Sequence, residues 1–363
     1  ERRREGQRLL QRRPGLRELL AALVVVRQGE PCREGIRLLR CLEQQTLGLI
    51  AFAHRHQALR ECAAEGEVVR HLLLRVAEDC PTRDGHAAVP VARIEAGVGR
   101  PEILDVSLDD PDVRLKDTRG IVYRGVDYLS TMSHIRIARS RDGVHFRVDD
   151  APFIFPGDAS ECFGVEDARI TRFGDTFTIN YTCVSPDGWG TALATTRDFK
   201  TIERRGLIFT VQNKDVSLFP EKIGGLYRAL HRPNNSGFGR PSIWYAESPD
   251  LIHWGNHRCI ARPRDTFWEE IKIGGGAPCI KTPQGWLQVY HGKGQNQIYS
   301  LFTLLLDLEE PWRIVKRASV PLLRPEMPYE TDGFFPNVVF CNGLVTWEDG
   351  RVFIYYGACD EST

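Results

Sequence analysis

The sequence predicts an all-β fold, a five-bladed β-propeller, which follows an α-helical N-terminal segment. From about residue 90 onward, short β-rich runs alternate with Gly, Pro, Asp and Asn residues. Five of these runs share one shape and start 50 to 65 residues apart, and a second type of strand follows several of them. A repeat of this length that consists only of strands is typical of a β-propeller, with one blade for each repeat.

Each of the five runs has a turn residue followed by a strand with aromatic or polar residues near its end. The runs are Gly120–Arg124, Asp175–Tyr181, Gly225–Arg232, Gly285–His291 and Gly350–Tyr356. Strands of the second type end in a Ser/Thr-x-Asp turn and are found at Ile135–Gly143, Ala192–Asp198 and Ile243–Asp250. An ordinary β-sandwich is the alternative, but the recurrence of two distinct strand types favours the propeller.

Residues 1–88 have a different pattern, which predicts an α-helical segment. Apolar residues recur at spacings of three and four between Leu9 and Val24, and the stretches Ile36–Ala58 and Val68–Val76 repeat this pattern. A basic arm that binds nucleic acid is one interpretation of its arginines. The interspersed acidic residues instead favour amphipathic helices with solvated faces. The predicted domains are a helical segment at 1–88 and the propeller at 89–363.

The composition argues against several classes of protein. The chain has 363 residues, with 48 basic and 48 acidic side chains, so its formal net charge is zero. A neutral chain is not a generic binder of nucleic acid or of membrane surfaces. We find neither an apolar run long enough to span a bilayer nor a secretory signal, and we expect a cytoplasmic protein. None of the ten cysteines forms a C-x-x-C pair, so we expect free thiols and no metal site.

We expect the five runs to be the innermost strands of the blades, since a propeller binds ligands at its axis. The residues at their ends are Arg124, Tyr181, His231 with Arg232, His291 and Tyr356. Several of these side chains are cationic or protonatable, and the fold would bring them to one channel. A basic cluster in a neutral protein indicates an anionic ligand, with phosphate as the first candidate.

Two adjacent carboxylates, Glu166 and Asp167, lie at the entry of an otherwise apolar strand. Adjacent carboxylates can divide their roles, so that one stays ionised while the other donates a proton. Alone the pair is a weak signal, because Glu-Asp pairs are common on protein surfaces. Beside an anion site, it supplies the acid or base that a reaction there requires.

In combination these motifs resemble family 130 of the glycoside hydrolases, which contains β-mannoside phosphorylases and related hydrolases. The resemblance spans about residues 120 to 363, and the motifs keep their order. They are Gly164–Thr171, Asn213–Lys222, Leu230–Pro233, Trp268–Gly276, Gly285–Trp286, Tyr290–Gly292, Tyr329–Glu330 and Tyr355–Asp360. The resemblance also implies a five-bladed propeller, which agrees with the repeats.

The resemblance implies a role for particular residues. The catalytic general acid of the family falls on Asp167. The implied phosphate-binding residues are Arg124, Lys214, Arg232, Lys272 and His291. The implied substrate-binding residues are Glu166, Arg169, Asp215, His231, Tyr290, Glu330, Asp332 and Asp360, of which Asp360 resembles the carboxylate that grips mannosyl hydroxyls.

The implied activity is that of an inverting, glycosyltransferase-type phosphorylase that cleaves a manno-oligosaccharide with phosphate to give α-mannose 1-phosphate. Such an enzyme needs one carboxyl group, because phosphate is the nucleophile and a basic clamp replaces the second carboxylate of an inverting hydrolase. In the family, the proton is thought to pass from the acid through the 3-hydroxyl of the mannosyl unit. We expect a mannoside oligosaccharide and phosphate as substrates, and no cofactor, metal, nucleic acid or membrane partner.

Two other functions are compatible with the pattern. A β-mannosidase would keep the fold but lose basic phosphate ligands, whereas this sequence retains Lys214, Arg232, Lys272 and His291. A propeller that only binds a carbohydrate or a protein would not need an acid beside a phosphate site. We expect the helical segment to seal the outer strand of the propeller or to form a homo-oligomer contact.

The sequence departs from the family pattern at three places. Ala168 replaces a proline in the motif of Asp167, which should relax the backbone there. Residues 127–134 are unusual and would shape part of the sugar pocket. Lys293 directly follows a family motif and is either a further anion contact or a solvated loop lysine. The chain contains eight lysines, so each one near a motif is a candidate for a site that needs a compact ammonium.

Overall fold

The regular structure in the described part of the chain consists almost entirely of β-strands. A computed structural model describes residues 23–24, 47–52, 88–94, 101–107, 110–117, 120–129, 133–234, 238–333, 335–347 and 349–360. Within these ranges the helical structure consists of one 3₁₀ turn, Ala159–Glu161, and one short α-helix, α1 (Pro328–Thr331). No helix in the described part of the chain is long and apolar enough to cross a membrane.

The first nine strands form parts of three sheets. Their bounds are β1 Leu23–Val24, β2 Leu47–Phe52, β3 Ala88–Ile94, β4 Pro101–Ser107, β5 Val113–Asp117, β6 Gly120–Tyr123, β7 Val126–Leu129, β8 Ile135–Ser140 and β9 Arg147–Val148. One sheet has the order β4-β3-β7-β6-β5, and a second has the order β2-β8-β9. β1 adds to a sheet at the other end of the chain.

Three antiparallel sheets follow, each from a consecutive stretch of chain. The first contains β10 Gly164–Phe173, β11 Thr176–Ser185, β12 Gly188–Thr196 and β13 Glu203–Phe209. The second contains β14 Asn213–Leu218, β15 Tyr227–Pro233, β16 Ile243–Ser248 and β17 Gly255–Ala261. The third contains β18 Lys272–Gly275, β19 Ile280–Thr282, β20 Gly285–Lys293, β21 Tyr299–Leu306 and β22 Ile314–Arg317. The last two strands, β23 Val339–Thr346 and β24 Val352–Ala358, form a sheet with β1.

The sheets pack face to face in the order of the chain. Separate hydrophobic clusters lie between β8 and the β10–β13 sheet, between that sheet and β14–β17, between β14–β17 and β18–β22, and between β18–β22 and β23–β24. Strands in the middle of this arrangement are covered on both faces. In β20, for example, every residue from Gly285 to Gly292 is buried. Both faces of such a strand are away from water, so even its polar residues Gln288 and His291 are buried.

The predicted Ser/Thr-x-Asp turns are present after β8, β12 and β16. In each, one carboxylate oxygen of the aspartate, Asp142, Asp198 or Asp250, accepts two backbone N–H groups at 2.8 to 3.0 Å. This contact closes the turn before the last strand of each sheet, which is β9, β13 or β17. Asp307 accepts two backbone N–H groups in the same way after β21, although no serine or threonine precedes it two residues earlier.

The prediction of helix over residues 1–88 is not supported. The described residues of this range, Leu23–Val24, Leu47–Phe52 and Ala88, lie in strands, and the remainder lies outside the described residues. Leu47–Phe52 falls inside the predicted helical stretch Ile36–Ala58, yet it pairs antiparallel with β8 from Leu47↔Ser140 to Phe52↔Ile135. Pairing with a distant strand edge overrides the local spacing of apolar residues there.

The five predicted runs are strands, but their expected position is wrong. β11, β15, β20 and β24 each lie second in their sheets, beside β10, β14, β18 and β23. The strands that meet are β10, β14 and β18, because Arg169 contacts Asp215 and donates to the Gly275 carbonyl. The first run, now β6, belongs to the β4-β3-β7-β6-β5 sheet, where hairpins with β5 and β7 pair it on both sides.

The six cysteines within the described residues are free thiols, as predicted. Four of them, Cys183, Cys279, Cys341 and Cys359, are buried. Burial raises the pKa of the Cys183 thiol to about 11 and that of Cys341 to about 12, so both remain protonated. The other four cysteines lie outside the described residues.

Candidate active site

The candidate site lies where β10, β14 and β18 converge. β10 and β14 carry the same irregularity there. Asp167 in β10 has φ +56° and Asp215 in β14 has φ +58°, and each lies at a shift in the register with its neighbouring strand. A bulge of this kind re-aims side chains that would otherwise alternate between the two faces of the sheet. Aspartate tolerates the left-handed conformation better than most residues because its short side chain can bond locally.

Asp215 is the buried centre of the cluster. Its carboxylate is fully buried and accepts a hydrogen bond from Arg232 Nε. It also lies 3.6 Å from Arg169 Nη2 and 3.5 Å from His291 Nε2. Burial alone would raise the pKa of Asp215, but Arg232 and the neighbouring cations outweigh it and hold that pKa far below its usual value. Asp215 is therefore ionised and orients the basic side chains around it.

The glycines of β18 allow this close packing. A Cβ atom on Gly274 would overlap the Asp215 carboxylate and the His291 ring. Gly275 and Gly276 are equally crowded by the backbone of Asp215 and of Val289. Gly274 and Gly275 thus let β18 approach β14 without a side chain between them, and Gly276, the next residue, lets the chain pass close to β20.

Arg169 fastens β10 to β18. Its Nε donates to the Gly276 carbonyl at 2.8 Å, and its Nη1 donates to the carbonyl of Asp167 itself at 2.7 Å. The side chain is buried, and its charge faces Asp215. Although the resemblance implied a substrate contact, these bonds make Arg169 a residue that fixes the backbone beneath Asp167.

The acid proposed by the sequence, Asp167, lies against Lys214. Lys214 Nζ is 3.2 Å from Asp167 Oδ2 and 3.4 Å from Glu166 Oε1, and about a fifth of each side chain is exposed. Burial would raise the pKa of Asp167, but Lys214 and then Arg169 outweigh it and hold that pKa below its usual value. The same two carboxylates hold the pKa of Lys214 above its usual value, against the effect of burial. These shifts favour the charged forms of Asp167 and Lys214.

Further basic residues lie near the contact between Asp167 and Lys214. Arg232 lies next to Lys214 across the β14–β15 ladder, and Lys272 begins β18. Burial, followed by the charges of Arg232 and Lys214, lowers the pKa of Lys272 to about 7. Burial also lowers the pKa of His291 to about 3, so this ring is neutral near pH 7 and can only offer a hydrogen bond. The cluster therefore contains a lysine that titrates near pH 7 and a histidine that is neutral there.

Two further residues belong to the cluster. Tyr299, the first residue of β21, places its ring 5.0 Å from Lys272 Nζ and 5.2 Å from Lys293 Nζ. Lys293 is half-buried and pairs directly with Lys272 between β20 and β18. The sequence analysis missed Tyr299, because it lies outside the five runs and their motifs. Strand register was the signal that could have found it, since it faces Lys293 in the β20–β21 pairing.

Asp360 lies near this cluster, whereas Arg124 and Asp332 have other partners. The charge of Asp360 contributes, after burial, to raising the pKa of Tyr299 to about 12. Arg124 is exposed in the β6–β7 turn, with its Nε 3.5 Å from Asp112 and its guanidinium over the Tyr123 ring. Asp332 is exposed at the end of α1, where its backbone N–H donates to the Pro328 carbonyl.

Tyr290 and Glu330 take part in a repeated buried contact. In three sheets, a tyrosine hydroxyl donates to a buried glutamate, as Tyr181 does to Glu161, Tyr290 to Glu269 and Tyr356 to Glu330, at 2.7 to 3.0 Å. The second oxygen of Glu330 accepts the backbone N–H groups of Glu326 and Met327. These pairs connect each sheet to the loop that precedes it. The spacing of 20 to 26 residues from glutamate to tyrosine is a repeat that the sequence analysis did not detect.

His231 occupies the corresponding position in the β14–β17 sheet. Its Nδ1 lies 2.9 Å from Asn213 Nδ2, and its Nε2 lies 3.0 Å from His257 Nδ1. Burial, followed by His257, lowers the pKa of His231 to about 3. Both ring nitrogens are used by protein partners, so His231 packs the sheet rather than facing the site.

The arrangement combines one carboxyl group on an irregular strand with a cluster of donors of mixed charge. A small anion could accept hydrogen bonds from Arg232, Lys272 and His291, while Asp167 lies on the Lys214 side of the cluster. Within the described residues, no group of three or more His, Cys, Asp or Glu side chains could hold a metal ion.

Comparisons with known proteins agree on a family. A protein-family model described as beta-1,4-mannooligosaccharide phosphorylase matches residues 111–363. A beta-1,2-mannobiose phosphorylase from Listeria innocua is 42% identical over 301 residues, which cover 82% of this chain and 84% of that protein. A 1,2-beta-oligomannan phosphorylase from a Thermoanaerobacter species is 37% identical and covers 66% of this chain and 82% of its own.

A solved structure is similar over most of the chain. The beta-1,2-mannobiose phosphorylase from Listeria innocua, in complex with beta-1,2-mannobiose, has a TM-score of 0.72 and 41% sequence identity. The match covers 79% of this chain and 80% of that one.

Proposed function

Because the chain belongs to glycoside hydrolase family 130, we propose that it is an inverting phosphorylase that cleaves β-mannosides with inorganic phosphate to give α-mannose 1-phosphate. The observation that carries this proposal is the contact of Asp167 with Lys214 at the edge of a pocket formed by Arg232, Lys272 and His291. An acid and an anion pocket side by side are what phosphorolysis requires. The chain is classified by sequence in a glycoside hydrolase family, although the proposed reaction transfers a mannosyl group to phosphate.

The architecture that we propose for these strands is a five-bladed propeller. Five sheets support it: β2-β8-β9, β10–β13, β14–β17, β18–β22 and the sheet of β1, β23 and β24. Each is separated from the next by a hydrophobic cluster, and β10, β14 and β18 converge as inner strands of a propeller would. The sheet of β3 to β7 stands outside this series.

The chemistry uses one carboxyl group of the protein. A phosphate oxygen attacks the anomeric carbon while the bond to the leaving oxygen breaks, and Asp167 supplies the proton that this oxygen needs, directly or through a sugar hydroxyl. Attack from the face opposite the leaving group inverts the β-linkage into an α-phosphate. Asp167 ends ionised and takes up a new proton before the next cycle.

The basic residues hold the nucleophile. Arg232 and Lys272 would offset the charge of phosphate, and neutral His291 would donate or accept one hydrogen bond. Asp215, Arg169 and the glycines of β18 keep these donors fixed, so they need little rearrangement when charge develops in the transition state. The hydrolase alternative finds no support, because the relatives reported above are named phosphorylases.

We propose a β-1,2-linked mannoside as the preferred substrate. Both relatives described above are named for β-1,2-linked substrates, whereas the family model is named for a β-1,4-linked one. The described residues carry nothing that supports the expected oligomer contact through the N-terminal segment. A cytoplasmic location remains a proposal that rests on composition.

Running the reaction in reverse tests this proposal. The protein is incubated with α-mannose 1-phosphate and an acceptor, either mannose or a β-1,2- or β-1,4-linked mannobiose, and released phosphate is measured. We expect phosphate release and a β-1,2-linked product. Release with formation of β-1,4-linked product would reject the linkage, and hydrolysis of the donor without glycosyl transfer would reject the phosphorylase.

A further inference from the structure

Lys214 contacts the catalytic acid rather than standing apart from it. Its ammonium group lies 3.2 Å from Asp167 Oδ2 and donates to Glu166 Oε1 at 3.4 Å. The three side chains are about four-fifths buried, so water screens these charges weakly. Lys214 therefore favours the ionised form of Asp167 over the neutral form.

This contact conflicts with the role of Asp167 as a proton donor. The charged groups that face Asp167 are Lys214 and Asp215 from β14, and Arg169 and Glu166 from its own strand. Burial favours the neutral acid, yet the two cations outweigh it and lower the pKa of Asp167. An ionised aspartate has no proton to give, so Asp167 must be protonated before the glycosidic bond breaks.

Bound phosphate would resolve the conflict. Lys214 pairs with Arg232 across the β14–β15 ladder, and after burial the charges of Arg232 and Lys214 lower the pKa of Lys272. An anion held by Arg232 and Lys272 would therefore lie beside the Lys214 ammonium. It would take hydrogen bonds from this ammonium and place negative charge beside Asp167, and both effects favour the protonated carboxyl.

We propose that Lys214 couples phosphate binding to protonation of Asp167, so that the acid is loaded only when the nucleophile is in place. In this step an O–H bond forms at Asp167, and the bond that held the proton in a hydronium ion or a buffer acid breaks. The proton later leaves on the released sugar hydroxyl. This inference rests on the proposed phosphorolysis and makes Lys214 a positioning residue for the acid.

Proton linkage of phosphate binding tests the coupling. Inorganic phosphate is titrated into the full-length protein by calorimetry at pH ~5, where an ordinary aspartate is ionised, in two buffers with different ionisation enthalpies. The titration is repeated with the Asp167→Asn variant. We expect the wild-type protein to take up more protons than the variant, by a difference approaching one per site. Equal proton uptake by the two proteins would overturn the inference.

Variants of Lys214 separate coupling from a structural role. In Lys214→Gln, Asp167 should already be largely protonated without phosphate. The difference in proton uptake between Lys214→Gln and a Lys214→Gln/Asp167→Asn double variant should therefore be well below the difference between wild type and Asp167→Asn. Lys214→Arg keeps the charge and should retain the uptake. Lys281→Gln removes a lysine that pairs with Glu221 on the surface and should behave as wild type. An unchanged uptake in Lys214→Gln would overturn the inference.

The same titrations distinguish this inference from the proposed function. If phosphate binds and α-mannose 1-phosphate is formed while wild-type and Asp167→Asn proteins show equal proton uptake, only the coupling is rejected. If the wild-type protein neither binds phosphate nor forms this product, the proposed phosphorolysis is rejected, and the coupling with it.

Discussion

At the scale of single residues, the site depends on how charges are balanced around two aspartates. Asp215 is held fully ionised by Arg232 and other cations, while Asp167 meets one lysine at the pocket edge. The first aspartate is an anchor, and the second can change its protonation state. Two adjacent strands thus present the same residue type in the same conformation for different purposes.

Replacing Asp167 with asparagine should abolish proton donation and leave the pocket in place. We expect kcat on an unactivated β-mannoside to fall by roughly 10²- to 10⁴-fold, because general acid catalysis of the departing sugar is lost. A mannoside with a good leaving group should retain far more activity, since its departure needs less protonation. Steady-state kinetics with the two substrates check this, and equal losses on both would assign the acid elsewhere.

Phosphate binding should weaken as the pH rises through about 7. Lys272 has a pKa lowered to about 7, so it is cationic below that pH and neutral above it, and only the cation attracts phosphate strongly. The KM for phosphate should therefore rise with pH. Lys272→Arg should move this rise to higher pH, because a guanidinium stays charged. A pH profile of KM that is the same in both proteins would exclude Lys272 as its source.

At the scale of the elements, β10, β14 and β18 form the site because they depart from regular β-structure. The register shifts after Glu166 and Lys214 turn side chains toward the centre, and the glycines of β18 allow that strand to close against β14. The irregular strands are thus the ones that carry the charged residues, whereas regular strands such as β20 supply the apolar packing.

A methyl group at Gly274 should damage both stability and phosphate binding. The added Cβ would overlap Asp215 and His291, so Gly274→Ala should lower the free energy of unfolding by roughly 1–3 kcal/mol. Gly255→Ala is the matched control, because nothing lies within 4 Å of its Cβ, and it should change stability by less than about 0.5 kcal/mol. Denaturant unfolding compares the two, and similar values would contradict the close packing of β18.

The tyrosine–glutamate contacts should matter for stability and not for substrate binding. Tyr290→Phe removes the hydroxyl that donates to Glu269 and accepts from Arg317, which should cost about 1–2 kcal/mol. The KM values for mannoside and phosphate should stay close to wild type. Thermal unfolding and kinetics check this, and a large change in the KM for the mannoside would instead make Tyr290 a substrate contact.

At the scale of the whole molecule, the local signals in the sequence were informative and the long-range ones were not. The five runs and the Ser/Thr-x-Asp turns are detectable because alternation, turn residues and short-range bonds are encoded within a few positions. The place of the runs in their sheets depends on which strand edges meet. The formation of the strand Leu47–Phe52 depends in the same way on its pairing with β8. No local pattern specifies such pairings.

The candidate site was predictable to the same extent. Asp167, Lys214, Arg232, Lys272 and His291 lie close together, and the family motifs had marked each of them. Tyr299 and the neutral state of His291 depend on burial and strand register, which the sequence does not display. Arg124 ends a run of the expected shape, but its strand belongs to another sheet.

The most direct test of the central claim is the fate of the sugar when a β-mannoside is cleaved. The protein is incubated with β-1,2-mannobiose and inorganic phosphate, and the products are followed by proton and phosphorus NMR. We predict one α-mannose 1-phosphate and one mannose for each mannobiose cleaved, with no cleavage when phosphate is omitted. Release of two free mannose molecules at a rate independent of phosphate would contradict the account.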